Sequence, residues 1–147
     1  MIVFVYSWVL FFIFVDRSRL KDTVYGGIIA FALGTAVDWG GQKLGLYIFQ
    51  GNIISWMGNS LFYAAGPLFT MGVLFFQFLS LDRRLQAANI VAFTLAYLSV
   101  ELLLIHEGSA RYVHWHYLAS LCTDLVVFSA FSYIGEVIVY KRIKTRL

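Results

Sequence analysis

Three carboxylates and three histidines are the residues of this chain best suited to chemistry. Asp38 closes one apolar run, and Glu101 and Asp124 lie inside two others. A carboxylate in apolar surroundings can hold a cation, relay a proton or act as a general acid or base. His106, Glu107, His114 and His116 cluster between two apolar runs. His114 and His116 with Glu107 have the atom types that bind zinc, and histidine is a common general base. On a helix those two imidazoles would point about 200° apart, and on an extended segment they would share a side. A His-Trp-His run also suits a plain membrane interface. No nucleophile motif, glycine-rich phosphate loop or haem-ligand pair accompanies these groups, so the pattern assigns no catalytic residue and implies no cofactor.

The elements that carry these residues are membrane helices. Hydrophobic residues make up 61% of the chain and charged residues 13%, against about 25% charged in soluble domains. A short soluble chain cannot hide that much apolar surface, whereas lipid removes the problem. Five apolar segments stand out, at roughly 1–15, 23–38, 60–80, 87–105 and 117–139. Crossing about 30 Å of hydrocarbon takes about 20 helical residues. The first two segments are short for this and must extend into their flanks or thin the bilayer. The first lacks a basic leader and a small-x-small cleavage site and is followed by Asp16, Arg17, Arg19 and Lys21, so it reads as a retained helix. The expected fold is one all-α domain, a bundle of about five transmembrane helices.

Basic residues set the orientation. With five spans, Arg17, Arg19, Lys21, Arg83, Arg84, Lys141, Arg142, Lys144 and Arg146 share one side, and Lys43 and Arg111 take the other. The positive-inside rule then places the N-terminus outside and the C-terminus in the cytoplasm of a multi-pass cell-membrane protein. The net charge of +3 comes from these short segments. It points to anionic lipid headgroups at the basic tail rather than to nucleic acid. Cys122, the single cysteine, allows no intrachain disulfide and reads as a small hydrophobe.

The outer loop, about 39–59, mixes Gly40, Gly41, Gly45 and Gly51 with Leu44, Leu46, Tyr47, Ile48 and Phe49. An interfacial or re-entrant segment near 43–58 is expected, with Trp39 and Trp56 at headgroup level and Trp115 level with them in the other outer loop.

Small residues and polar contacts must join helices where lipid is as apolar as leucine. Gly26, Ala30 and Gly34 form a small-xxx-small stripe that leads to Asp38. Tyr63, Thr70 and Gln77 share one side of the third helix, in which Pro67 predicts a kink. Thr94, Tyr97 and Glu101 make a polar stripe on the fourth, and Ser120 and Asp124 lie one turn apart on the fifth.

Glu101 falls about 6 Å, and Asp124 about 10 Å, below the outer ends of their helices at 1.5 Å per residue. Asp38, Tyr97, Glu101, Asp124 and the histidines His106, His114 and His116 thus form a candidate outer-leaflet pocket. Its carboxylates are accommodated as neutral acids, around a cation, on a water-filled vestibule, or beneath Arg111 or Lys43 folded back. Three classes of function follow. The foremost is a structural or interaction module whose pocket meets a partner, a lipid headgroup or a cation, with a homo-oligomer or a membrane-protein partner as its context. The second is a carrier of protons, cations or small solutes along Asp38, Glu101 and Asp124. The third is a membrane-embedded enzyme with its site at the outer face.

The pattern loosely resembles a family of small polytopic membrane proteins of spore-forming Firmicutes. The likeness is carried by Asp16-Arg17 after the first helix, Asp38, the aromatic Leu44–Phe49 stretch, Glu101 and Trp115. It implies architecture and no reaction.

Overall fold

The computed structural model describes residues 2–50, 55–56 and 59–140. It is mostly helical (78%) and holds five helices. These are α1 (Ile2–Phe14), α2 (Leu20–Lys43), α3 (Leu61–Gln77), α4 (Arg83–His106) and α5 (Tyr117–Gly135). A π-helical segment, Glu136–Tyr140, continues α5. Three helices, α2, α4 and the extended α5, are long and apolar enough to cross a membrane, while α1 and α3 are shorter apolar helices. Large apolar side chains face outward, among them Phe12 on α1, Leu95 on α4 and Val126 on α5.

The second helix departs most from the sequence expectation. It runs from Leu20 to Lys43 rather than over 23–38, passing through Gly40 and Gly41 without a break. A helical glycine costs only about 1 kcal/mol relative to alanine, and at Gly41 packing compensates. A Cβ there would lie 2.5 Å from the ring and hydroxyl of Tyr47.

The small-residue stripe of α2 meets α3 as expected. A Cβ on Gly26 would fall 2.4 Å from the Gly72 carbonyl, and one on Gly34 would fall 2.6 Å from Leu68. Such contact brings the two backbones together and fixes the face on which Asp38 emerges. Pro67 sits in a π-helical turn, Ala64–Leu68, which accommodates the missing backbone donor.

Side chains tie the ends of the helices. Gln77 accepts from the Asp16 N–H at 2.7 Å and donates to the Phe14 carbonyl at 2.9 Å, serving two backbone groups at the end of α1. Asp16 also accepts from the Ser18 hydroxyl and N–H, which holds its carboxyl below the usual range. Asp82 caps α4 by accepting from the Arg84 N–H at 2.8 Å. Where α4 starts and α5 ends, Gln86 donates to Ser132 at 2.7 Å and to Glu136, and Arg83 pairs with Glu136 at 2.7 Å. Above this network, Phe75, Phe76, Phe128 and Phe131 form a buried aromatic layer, with the Phe76 and Phe131 rings 4.7 Å apart.

The opposite end carries the strands. β1 (Tyr47–Phe49) pairs antiparallel with β4 (Ala110–Tyr112), setting Tyr47 opposite Tyr112, Ile48 opposite Arg111 and Phe49 opposite Ala110. β2 (Ser55–Trp56) pairs with β3 (Asn59–Ser60). Within the segment 43–58, then, residues 47–49 form a strand that joins the loop between α4 and α5. Gly45 (φ +68) and Gly108 (φ +72) take the left-handed turns that bring the two strands together. Residues 51–54, 57–58 and the basic tail 141–147 lie outside the described residues.

Candidate functional site

Beneath the β1–β4 pair, the helix faces enclose a cavity of about 350 Å³. Helical and strand periods select its lining. Tyr97, Glu101 and Leu104 come from one face of α4, and Ser120, Asp124, Val127 and Phe131 from one face of α5. From the strands, Tyr47, Phe49, Ala110 and Tyr112 face inward, whereas the alternate residues Ile48 and Arg111 do not line the cavity. Asp38, Glu101 and Asp124 all line this one space.

Each carboxylate has its own environment. Asp38 is buried, and the Tyr47 hydroxyl, lying across Gly41, donates to its Oδ1 at 3.1 Å. Ser120 Oγ donates to Glu101 Oε1 at 2.9 Å. Ser120 Oγ in turn accepts from Trp115 Nε1 at 2.7 Å and lies 3.2 Å from the Tyr112 hydroxyl. Asp124 Oδ2 is buried and has no hydrogen-bond partner among the described residues. Tyr63 donates to the Tyr97 hydroxyl at 2.5 Å, linking α3 to α4 across the cavity wall.

Burial first, and then the Asp38 charge, push the Tyr47 phenol above its ordinary value. Burial likewise raises Tyr112, with Glu101 adding to it against the lowering effect of Ser120. Both remain protonated near neutral pH and serve as donors.

The histidines do not join this group. His106, His114 and His116 are exposed and do not line the cavity, which corrects their place in the expected pocket. His116 accepts from the Ala119 N–H at 3.2 Å and so caps α5. A short polar side chain at the mouth of a helix is used by the nearest free backbone donor. Nor do His114, His116 and Glu107 assemble a metal-ligand set; the described residues contain no group of three or more His, Cys, Asp or Glu suited to a metal. Lys43 lies 5.1 Å over the Trp39 ring, and neither it nor Arg111 lines the cavity.

The sequence pattern places Ser120 one turn from Asp124 but does not assemble Tyr47, Gly41, Tyr112, Trp115 and Ser120 as a set around the carboxylates. A further signal was Gly41, which stands three residues after Asp38 and therefore on the same helix face.

No protein-family model matches this chain, and neither does any curated protein or solved structure.

Proposed function

We propose that the chain is a multi-pass protein of the cell membrane whose cavity, in the outer leaflet, binds a cationic group. In this reading all five helices cross the bilayer, the N-terminus lies outside, and the basic tail at 141–146 meets anionic headgroups on the cytoplasmic side. The observation that carries the reading is the joint lining of one cavity by Asp38, Glu101 and Asp124, with no Lys, Arg or His among its described lining residues. Any charge in such a space is negative, and its low-dielectric walls strengthen the pull on a cation. Tyr47, Tyr63, Tyr97, Tyr112 and Trp115 add aromatic surface, which also favours cations. The buried Asp124 oxygen without a partner gives an ammonium group an acceptor.

The test is a titration of the protein in nanodiscs with ethylamine, followed by the fluorescence of Trp115 after the other three tryptophans are replaced by Phe. Saturable quenching or enhancement is expected. A linear, unsaturable response would remove the proposal. The orientation is tested separately with a membrane-impermeant maleimide on Glu107→Cys and Arg84→Cys in a Cys122→Ser background. Labelling of the first alone in intact cells is expected.

Carriage of the cation is the second reading. It draws on the depth of the cavity, which reaches Met71 and Gly72 on α3 before ending on Phe128 and Phe131. Transport requires that aromatic layer to part. Amine uptake into proteoliposomes that Asp124→Asn abolishes would favour it over simple binding.

A further inference from the structure

We infer that the cavity is entered sideways from the lipid phase, between α2 and α5, and that its ligand is a single-chain amphiphile with a protonated amine head. This inference rests on the cationic-pocket reading above and adds the route and the tail.

The walls indicate the route. Every exposed residue of the described lining belongs to one edge of α2 and its C-cap: Leu33, Ala36, Val37 and Leu44. The α5 residues of the same lining include Asp124 and Val127, which are half-buried. α2 packs mainly against α3, and α4 packs against α5, whereas α2 and α5 do not pack along one another. The other exits are covered. The β1–β4 pair lies over the outer end, and none of Tyr47, Phe49, Ala110 and Tyr112 is exposed. Phe128 and Phe131, 8% and 3% exposed, form the floor. The opening therefore faces the direction in which a membrane helix meets acyl chains.

The lining indicates the ligand. A volume of about 350 Å³ falls within the range of small-molecule sites, roughly 300–1,000 Å³. Its acidic groups select a positive head. Phosphate-bearing lipids are disfavoured, because the described lining offers no Lys or Arg to a phosphate. A small hydrated cation makes no use of the apolar rim at Leu33, Val37 and Val127, whereas an alkyl chain fits against it. An ammonium on such a chain already sits at the depth of the carboxylates when its tail is in lipid.

The experiment uses the full chain in phosphatidylcholine nanodiscs with dodecylamine carrying a diazirine at its chain terminus. After irradiation, labelled positions are mapped by mass spectrometry. Labelling is expected to concentrate within 33–44 and 123–131. Excess dodecylamine should reduce it about tenfold, whereas dodecanoic acid, or ethylamine at the same total concentration, should not. In a Glu101→Gln, Asp124→Asn variant, cleft labelling should fall by a similar factor while labelling of the exposed end of α1 at 12–14 stays constant, which reports an intact fold. Equal displacement by ethylamine would leave the cationic pocket standing and overturn the lipid route. No displaceable label, with saturable ethylamine binding retained, would do the same. Equal displacement by dodecanoic acid would overturn both, since the site would then ignore the sign of the head. So would the absence of both displaceable label and amine binding. Capture of a second copy of the chain in the cleft, with no effect of dodecylamine, would replace the amphiphile with an oligomer contact.

Discussion

Tyr47 and Tyr112 stand directly opposite each other across the β1–β4 pair, and their hydroxyls serve different carboxylates. Tyr47 donates to Asp38 on α2, and Tyr112 meets the Ser120 hydroxyl that donates to Glu101 on α4. One strand pair therefore positions acidic groups on two helices, and it does so from both sides of the cavity.

This arrangement has a pH signature. Both phenols are pushed above their ordinary value, foremost by burial. In the unfolded chain a tyrosine loses its proton near pH 10. The folded state thus holds more protons at alkaline pH, and stability falls as pH rises past about 10 toward the folded value. Of the nine tyrosines in the chain, Tyr47 and Tyr112 should be missing from the phenolate absorbance that develops below about pH 11. The Tyr47→Phe, Tyr112→Phe variant should then show the same amplitude as the parent in that range. A loss of two tyrosines' worth of signal would contradict the burial of these hydroxyls.

Gly41 and Gly40 should behave oppositely. A Cβ at Gly41 collides with Tyr47, whereas one at Gly40 meets nothing within 4 Å. Gly41→Ala is expected to lower stability by about 1–3 kcal/mol through overpacking. Gly40→Ala is expected to be neutral or to stabilise by about 0.5–1 kcal/mol through helix propensity. Unfolding in mixed detergent micelles, read by circular dichroism, measures both. Equal effects would mean that Tyr47 does not depend on the close approach at Gly41.

Gln77 should hold α1 in place. Its amide serves Phe14 and Asp16, and its backbone carbonyl accepts from Arg19 at 3.0 Å. Gln77→Leu keeps the apolar stem and removes the amide. A loss of about 1–3 kcal/mol is expected for backbone groups left unsatisfied. The turn should also open locally, so trypsin should cut faster at Arg17 and Arg19. Unchanged proteolysis with lowered global stability would place the effect elsewhere.

The carboxylate convergence was legible in the sequence because it follows from two regularities. Apolar runs set the helices, and chain direction sets which ends share a side, so Asp38, Glu101 and Asp124 fall toward the same end of the bundle. The small stripe at Gly26, Ala30 and Gly34 was legible for the same reason, as a spacing of four on one face. What was not legible depends on contacts between distant segments. Glycine frequency at 40–45 suggested the end of a helix, yet α2 continues to Lys43, because helix propensity is a weak prior beside tertiary packing. Strand register then decides which residues of the two loops turn inward. Tyr112 and Ala110 face the cavity and Arg111 does not, an alternation that appears only once β1 supplies the partner. The histidines looked chemical by type, but on this path they lie outside the cavity, and His116 is engaged as a cap.

The most direct measurement is amine binding to the nanodisc-embedded parent and to its Glu101→Gln, Asp124→Asn variant, read by equilibrium dialysis of radiolabelled ethylamine. Saturable binding of one amine per chain is expected in the parent and an affinity at least about tenfold weaker in the variant, a difference of about 1.4 kcal/mol. Equal affinity in the two, with both folded, would contradict the claim that these carboxylates form one cation-binding pocket.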